Sequence, residues 1–322
     1  MLAAYASRIS PDDPLSALEV GELEAPAPPS GWVTVAVKAA ALNHHDLWSL
    51  RGVGLPEDRL PMILGCDAAG VDADGNDIIV HAVIGDPDRG GGDETMDPKR
   101  SLLSERHPGT IAEQVSVPAR NLVAKPAELS WEQAASIPTA WLTAYRMLFV
   151  RGRVQPGETV LVQGAGGGVA TAAIALGRAA GLRVWATSRS EAKRAQAAEL
   201  GADQSFESGA RLPERVDAVI ETVGEATFGH SLKSVRPGGR VVVCGSTSGP
   251  TTQLELQRLF FLQLEVVGST MGTKAELERL LGFLVATGVR PIVDSTYPLS
   301  DAREGFARLA AGDMFGKVVI TT

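Results

Sequence analysis

The spacing of hydrophobic residues changes about halfway along the chain. In residues 1–120, short runs of β-branched residues at strand spacing alternate with turn signals. They predict β-strands at Trp32–Lys38, Asp77–Ile84 and Ile111–Val117. The sequence Asp74-Gly75-Asn76 indicates a tight turn, and the aperiodic stretch Asp86–His107 predicts a long surface loop. This half of the chain therefore predicts a β-rich domain.

Beyond residue 158, short runs of Val, Ile and Leu alternate with helical segments. Continuous apolar strands between helices are typical of a parallel, doubly wound sheet. The strands are predicted at Thr159–Gln163, Arg183–Thr187, Asp217–Glu221, Arg240–Cys244 and Leu264–Gly268. The helices are predicted at Ala170–Ala180, Glu191–Leu200 and Ala226–Val235.

The C-terminal segment holds two predicted helices, Lys274–Thr287 and Asp301–Ala311, and a final strand, Lys317–Ile320. We expect that strand to return to the sheet of the first domain. The predicted fold class is therefore α/β, with a discontinuous β-rich domain (residues 1–121 and 271–322) and a doubly wound domain (residues 122–270).

Composition narrows the possible partners. The 322 residues include 44% hydrophobic and 21% charged side chains and carry a net charge of −8, as expected for a soluble globular protein. An acidic chain does not favour binding to nucleic acid or to an anionic membrane. Two cysteines, Cys66 and Cys244, do not make a disulfide framework. Without a signal peptide or a long apolar run, the predicted location is the cytoplasm.

A glycine-rich turn follows the first strand of the doubly wound domain. Glycines in such a turn let the backbone approach a pyrophosphate, while the next helix offers its N-terminal N–H groups. A strand, this turn and a helix in succession predict a dinucleotide site. The predicted contacts are Gly164, Ala165, Gly166, Gly167, Gly168 and Val169.

The end of the next strand predicts which dinucleotide binds. About 20 residues past the turn, NAD enzymes usually carry an acidic residue for the ribose hydroxyls. Here Ser188 and Arg189 occupy that position, with Lys193 one helical turn later. A hydroxyl and two cations would accept a 2′-phosphate, so NADPH is the predicted cofactor. The alternative is that both cations are solvated surface charges.

Two further turns end strands at the carboxyl edge of the sheet, where open α/β sheets bind ligands. Gly224 lies in one, and Gly245 and Ser246 lie in the other. We predict that these residues contact the ribose and nicotinamide, and a purely structural role is the alternative.

Five ordered blocks of sequence resemble the medium-chain dehydrogenase/reductase superfamily, specifically its zinc-independent quinone oxidoreductase branch. The resemblance covers nearly the whole chain. It is carried by Ala41–Gly52, Leu64–Gly70, Gly109–Glu113, Ile137–Tyr145 and Phe315–Lys317.

The resemblance implies a GroES-like catalytic domain, a Rossmann domain and a cleft between them for the nicotinamide. It implies a homodimer or homotetramer joined along the edge of the Rossmann sheet. It also implies that Lys317, in the last of these blocks, contacts the cofactor. The phosphate loop departs from the usual Ala-x-x-Gly-x-x-Gly, because Gly164, Gly167 and Ala170 stand at those positions.

The resemblance also predicts that no metal is bound. At the ligand positions of the zinc alcohol dehydrogenases stand Asn43, Cys66-Asp67 and Thr139. Asn43 and Thr139 are poor zinc ligands, and a catalytic zinc requires about three good ones. The stretch that would hold a structural zinc has no cysteine. An unconventional site that uses nearby histidines is the alternative.

Without a Lewis acid, oxidation of an unactivated alcohol is difficult. Hydride addition to a quinone or an enone needs less help, because the charge moves onto a distant oxygen. That oxygen needs a hydrogen-bond donor. The candidate donors are Asn43, which is preferred, His44 or His45, Trp48 and Thr139. On an extended or turn segment, only one of the two histidines should face the substrate.

The sequence thus predicts an NADPH-dependent reductase of quinones or enones, with a small-molecule substrate. Two alternatives stay open. One is an enoyl-thioester reductase or an atypical alcohol dehydrogenase, and the other is a non-catalytic NADPH-binding redox sensor.

Overall fold

A computed structural model describes residues 1–25 and 27–322 and divides the chain into two compact units. The first contains Met1–Ala140 and Met271–Thr322, and the second contains Trp141–Thr270. The predicted boundary after residue 121 differs from this one. Residues 122–140 lie in the first unit because a strand at Leu122–Ala124 pairs there and a helix at Trp131–Ala135 packs on its sheet.

The first unit is built mainly from short strands. Its elements up to residue 140 are β1 (Leu2–Ala6), β2 (Leu18–Glu22), β3 (Trp32–Ala41), α1 (His44–Leu50), β4 (Met62–Ile63), β5 (Asp67–Val71), β6 (Asp77–Val80), β7 (Val83–Ile84), β8 (Ser101–Leu102), β9 (Gln114–Pro118), β10 (Leu122–Ala124) and α2 (Trp131–Ala135). The predicted strand Asp77–Ile84 is divided into β6 and β7, because the intervening His81 N–H bonds to Asn121 instead of continuing the ladder.

The second unit alternates strands and helices. Its elements are α3 (Leu142–Tyr145), β11 (Thr159–Val162), α4 (Gly168–Ala179), β12 (Arg183–Thr187), α5 (Glu191–Leu200), β13 (Gln204–Phe206), β14 (Val216–Glu221), α6 (Glu225–Ser234), β15 (Val235–Val243), α7 (Leu256–Phe261) and β16 (Glu265–Gly268). The six strands form one sheet in the order β13-β12-β11-β14-β15-β16, and the pairs are parallel.

This strand order is that of the Rossmann fold, so the predicted fold class is confirmed. Its strands are continuous apolar runs because both faces of the sheet are covered. All four residues of β11 are buried, for example. Small side chains let α4 lie close to the sheet: a methyl group on Gly177 would stand 2.9 Å from Val184.

The chain then returns to the first unit through α8 (Lys274–Thr287), β17 (Val293–Pro298), α9 (Ala302–Ala311) and β18 (Lys317–Thr321). Thr273 caps α8 by accepting a hydrogen bond from the Glu276 N–H. Within residues 1–25 and 27–322, no helix is both long and apolar enough to cross a membrane.

The central strand of the first unit, β3, organises its largest sheet. It pairs with β9 along its first half and with β5 along its second half. Its second half also pairs antiparallel with β18, so that Val319 lies opposite Ala41. The predicted return of the final strand to this sheet is confirmed. The register brings the beginnings of β5 and β18 together at the end of β3.

The stretch Asp86–His107 is more ordered than the predicted surface loop. It contains β8, and two buried carboxylates hold it in place. Asp97 accepts hydrogen bonds from the Asp86 N–H and from Arg89. Glu94 accepts one from the Lys274 N–H at the start of α8. Burial would raise the pKa of Glu94, but His81, 3.3 Å away, and this N–H outweigh it and lower the pKa to about 2.

Candidate active site

The glycine-rich turn of the second unit has the geometry of a phosphate-binding turn. It joins the end of β11 to the start of α4 and holds six predicted contacts, Gly164, Ala165, Gly166, Gly167, Gly168 and Val169. Gly166 has a φ of +124°, a region that other residues rarely adopt. Gly167 is the N-cap of α4, so the helix directs its first N–H groups towards the turn.

The residues predicted to recognise a 2′-phosphate lie beside this turn. A methyl group on Gly166 would stand 2.8 Å from Cδ of Lys193, so the lysine side chain lies against the turn. Ser188 is buried and follows β12, and Arg189 after it is exposed. The structure therefore places a hydroxyl and two cations in the segment after β12, which also contains exposed Glu191 at the start of α5.

Sequence reasoning missed a third cation, Arg194. Its Nη1 donates to the carbonyl oxygens of Ser188 and Arg189, at 2.8 and 3.3 Å. Ser190 caps α5 by accepting from the Lys193 N–H. Arg194 thus braces the loop that carries Arg189. The sequence could have indicated Arg194 through its position in the predicted helix α5, five residues after Arg189.

The next two turns along the sheet edge touch each other. Buried Glu221 accepts hydrogen bonds from the N–H groups of Val223 and Gly224. A methyl group on Gly224 would stand 2.8 Å from Cα of Ser246, and one on Gly245 would stand 2.7 Å from the Thr222 carbonyl oxygen. Close packing between the turns therefore explains both glycines, and their contact with a dinucleotide stays a prediction. Ser246 is exposed.

In the first unit, four residues from distant segments form a polar network, which we call the Asp67 cluster: buried Asn43, Asp67 and Lys317, and half-buried Thr139. One Asp67 oxygen accepts from the Thr139 hydroxyl at 2.5 Å. The other accepts from Asn43 Nδ2 at 2.9 Å and from Lys317 Nζ at 3.3 Å. Lys317 Nζ also donates to Asn43 Oδ1 and to the Leu42 carbonyl oxygen.

This cluster argues against three predicted roles. The Lys317 ammonium is buried and its three hydrogens have three acceptors, so it has no donor left for the predicted cofactor contact. The Asn43 amide donates to Asp67 and to the Ala41 carbonyl oxygen. Both of its hydrogens are used, so it cannot also donate to a substrate carbonyl. The Thr139 hydroxyl likewise donates its one hydrogen to Asp67.

His44 and His45 begin helix α1 and do not lie on an extended or turn segment, as the sequence prediction assumed. The exposed His44 has a lowered pKa, because the surrounding protein desolvates it and Lys317 is a nearby cation. His45 is half-buried, with Nε2 3.2 Å from Glu105 Oε1 and Nδ1 3.4 Å from Cys66 Sγ. Burial opposes protonation of His45, but Cys66 and Glu105 outweigh it and raise its pKa well above 6.5.

Trp48 lies on the same helix and is half-buried, with the Arg51 guanidinium 5.4 Å from its ring centre. Of the predicted donors, exposed His44 and half-buried His45 and Trp48 are therefore the ones whose hydrogens the Asp67 cluster does not use.

One group of possible metal ligands occurs among the described residues: His45, Asp46 and Cys66, whose ligand atoms lie within 4.8 Å of one another. Asp46 already accepts from the backbone N–H groups of Asn43 and Gly65, so it holds the loop that precedes α1. Cys66 is buried, and burial raises the pKa of its thiol. Asp46 is thus held by two backbone N–H groups and Cys66 Sγ lies 3.3 Å from the Leu103 carbonyl oxygen, so this group does not offer the three free ligands that a zinc site needs.

Comparison with known proteins gives the family. Residues 29–127 match the family described as alcohol dehydrogenase GroES-like domain, and residues 168–286 match zinc-binding dehydrogenase. An acryloyl-coenzyme A reductase of Metallosphaera sedula is 32% identical over 94% of this chain and 96% of its own length. The chain belongs to the medium-chain dehydrogenase/reductase superfamily. Oxidoreduction is the activity that this membership supports.

Two solved structures of the superfamily are similar along the whole chain. An NAD-dependent alcohol dehydrogenase is 34% identical, with a TM-score of 0.92 and full coverage of both chains. The 2-octenoyl-CoA carboxylase reductase CinF, solved with NADP and 2-octenoyl-CoA, is 26% identical, with a TM-score of 0.92 over 99% of this chain and 87% of its own.

The matched family is described as zinc-binding, but the donor set at the aligned positions does not fit zinc. Asn43, Asp67 and Thr139 offer oxygen donors, which suit zinc poorly without sulfur or nitrogen partners. Asp67 is already paired with the Lys317 ammonium. The aligned Cys66 points elsewhere, with its Sγ 3.3 Å from the Leu103 carbonyl oxygen. No catalytic step is therefore derived through a metal.

Proposed function

We propose that this protein is an NADPH-dependent enoyl-thioester reductase. When bound, NADPH supplies a hydride to the β-carbon of an α,β-unsaturated acyl thioester. A proton from the protein then goes to the α-carbon. The products are NADP⁺ and the saturated thioester, so one hydride, which carries two electrons and one proton, and one further proton complete the reduction.

The Asp67 cluster is the observation that carries this proposal. Alcohol oxidation by the zinc enzymes of the superfamily relies on a Lewis acid to stabilise an alkoxide. Here an ammonium group and its hydrogen-bonded partners stand at the aligned positions. Addition to an activated double bond makes no alkoxide and does not need that Lewis acid.

The similarities support the enoyl-thioester alternative better than the quinone or enone reduction that the sequence patterns favoured. One relative is named as an acryloyl-coenzyme A reductase, and a similar structure holds NADP together with an enoyl-CoA. The choice of NADPH rests on Ser188, Arg189 and Lys193, which stand where an NAD enzyme would carry a carboxylate.

We propose His45 as the source of the proton. Its neighbours Cys66 and Glu105 raise its pKa above the usual value for histidine, and a raised pKa favours the form that can donate a proton. Its side chain is 20% exposed, which leaves a path for exchange with solvent. Glu105, 3.2 Å away, orients the ring. His44, with its lowered pKa, is the weaker acid catalyst.

Alcohol oxidation is a second candidate, because the similar solved structure at 34% identity is an alcohol dehydrogenase. It requires a metal that the Asp67 cluster does not accommodate. Quinone or enone reduction by the same hydride transfer is a third, which differs in the acceptor alone.

The experiment is a substrate panel with the purified full-length protein. NADPH oxidation is measured with crotonyl-CoA, acryloyl-CoA, 1,4-naphthoquinone and a simple enone, and NADP⁺ reduction is measured with ethanol, each with and without chelator. We expect turnover with the enoyl-CoA substrates at roughly 1–1000 per second, unaffected by chelator. Faster turnover of quinone, or chelator-sensitive alcohol oxidation, would replace the proposal with one of the other two candidates.

We also propose that the protein is an oligomer joined at β16. This strand is the edge of the parallel sheet and its outer side chain Val266 is exposed. The neighbouring helix α7 exposes Leu256, Phe260 and Phe261, at 66%, 69% and 76%. Such an apolar edge suits a second copy of the chain, and light scattering after size exclusion gives the subunit number.

A further inference from the structure

A pocket in the first unit lies beside the strand pair β7 and β8 and does not belong to the Asp67 cluster. Its volume is about 230 Å³. Since a water molecule occupies about 30 Å³ in the liquid, the pocket has room for roughly seven waters or for one polar group of a ligand. Its polar and charged walls include Arg89, Asp97, Lys99, Ser101, Arg106 and His107.

The two acidic residues that line this pocket, Asp86 and Asp97, are already paired. Asp97 is buried and accepts hydrogen bonds from the backbone N–H groups of Asp86 and Lys99, at 2.8 and 2.9 Å. Arg89 donates to the same carboxylate through Nη2 at 2.9 Å, and its Nη1 lies 3.4 Å from Asp86 Oδ2. Arg89 is therefore the cation that both carboxylates share.

Three further polar groups of the pocket have no such partner. Lys99 and Arg106 are exposed, and among residues 1–25 and 27–322 neither forms an ion pair with a carboxylate. Ser101 is 5% exposed, yet its hydroxyl makes no hydrogen bond in the part of the chain that the structure describes. A buried hydroxyl usually has a partner, so the pocket is where a ligand oxygen would supply it.

The surroundings of the pocket are also positive. Arg120 donates from Nη1 to the carbonyl oxygen of Gly85, a residue of the pocket wall, at 2.7 Å. Burial lowers the pKa of His107, and the nearby charges of Arg59 and Arg106 lower it further. On a chain with a net charge of −8, this concentration of cations attracts anions.

The pocket adjoins the candidate active site within the same unit. Glu105 lies 3.2 Å from His45 through Oε1 and accepts from the Leu102 N–H at 2.9 Å through Oε2. The next two residues along the chain, Arg106 and His107, line the pocket. One short segment therefore contacts His45 and forms a wall of the pocket.

We propose that this pocket binds a phosphate group, with its charge paired to Lys99 and Arg106 and one oxygen accepting from the Ser101 hydroxyl. A phosphate fits because its oxygens accept hydrogen bonds from all three groups, and a guanidinium pairs with two of them at once. The phosphate is inorganic phosphate or a phosphate group of coenzyme A, and direct binding distinguishes the two sources. The inference does not depend on the reaction that the protein catalyses.

His107 provides the readout, because it lines the pocket and is half-buried. The purified full-length protein carries ¹³C at the Cε1 position of its five histidines and is titrated with sodium phosphate at constant ionic strength. His107→Gln identifies the His107 signal by its absence from the NMR spectrum. A titration with sodium chloride separates binding from general screening of charge.

We expect phosphate to shift the His107 signal with a saturable dependence on concentration, and chloride to leave it unchanged. A bound phosphate offsets the charges of Arg59 and Arg106, so the pKa of His107 should rise when phosphate is present. A His107 signal that does not respond to phosphate, or that responds equally to chloride, would overturn the proposal.

Variants locate the binding site. Lys99→Gln and Arg106→Gln each remove a charged contact, so each should raise the Kd for phosphate roughly 10-fold or more. The exposed Lys233→Gln is the matched control and should leave this Kd unchanged. Arg189→Ala in the second unit should also leave it unchanged, which separates the pocket from the glycine-rich turn. If Lys99→Gln/Arg106→Gln binds phosphate as tightly as the wild type, the pocket is not the site.

Coenzyme A and pantetheine, which lacks phosphate, identify the source of the group. If coenzyme A occupies the pocket, it shifts the His107 signal and competes with phosphate, whereas pantetheine does neither. If coenzyme A has no effect while phosphate still shifts the signal, the ligand is inorganic phosphate. Each of these results supports a phosphate site, and an equal shift with pantetheine would contradict it.

Discussion

The polar sites of the two units are built in different ways, one from neighbouring residues and the other from residues far apart in sequence. In the second unit, the glycine-rich turn is a continuous stretch of chain that presents backbone N–H groups between β11 and α4. In the first unit, the Asp67 cluster is made by side chains from four segments, up to 274 residues apart in sequence. The turn depends on local conformation, and the cluster depends on the register of three strands. The comparison teaches that a local site tolerates single changes better than a buried network does.

The largest expected effect tests the cluster. Lys317→Met leaves the Asp67 carboxylate buried and unpaired, so we expect the free energy of unfolding to fall by about 3–5 kcal/mol. Urea denaturation measures it, and Lys233→Met on the surface should change it by less than about 0.5 kcal/mol. A loss below about 1 kcal/mol would mean that the cluster is no more critical than the turn.

The next effect separates catalysis from stability within the first unit. His45→Gln removes the proposed acid and should lower kcat for the enoyl-CoA substrate by roughly 100-fold. In the wild type, the protonated form is active, so kcat should fall as the pH rises through the raised pKa of His45, well above 6.5. The variant should lose this fall in kcat on the basic side of its pH profile. If kcat of His45→Gln still falls with rising pH in the same range, another group donates the proton.

A smaller effect tests the cations beside the turn. If Arg189 binds the 2′-phosphate as we propose, Arg189→Ala removes a charged hydrogen bond worth about 1.5–3 kcal/mol, so the Kd for NADPH should rise roughly 10- to 150-fold. The Kd for NADH should stay the same, since NADH lacks that phosphate. Fluorescence titration of the two cofactors gives both constants. An equal rise in the two Kd values would show that Arg189 does not bind the 2′-phosphate.

The smallest effect compares two neighbouring glycines. Gly166→Ala forces a side chain into a φ of +124° and 2.8 Å from Lys193, at a cost of about 1–2 kcal/mol. Gly167→Ala is the matched control, because its φ is −72° and no atom lies within 4 Å of the added methyl group. Thermal unfolding should separate the two variants. A similar loss in both would remove the claim that the turn needs this conformation at Gly166.

Much of the fold follows from the sequence pattern. The ranges predicted for β12, α5 and α8 agree with the structure residue for residue, because continuous apolar strands and well-capped helices are local signals. The prediction was weaker in the first unit. The stretch Asp86–His107 has no periodicity, yet buried Asp97 and Glu94 hold it through contacts with distant residues.

The sequence by itself determined the Rossmann unit, the glycine-rich turn and the cations that follow β12, since each depends on residues within a few turns of one another. The tertiary structure alone decided what Asn43, Thr139 and Lys317 do. The residue types of Asn43 and Thr139 already showed that they are poor zinc ligands. Only the pairing of β3 with β5 and β18 placed Asp67 and the Lys317 ammonium beside Asn43. Strand register relates residues far apart in sequence, and no local pattern encodes which buried charge will meet which.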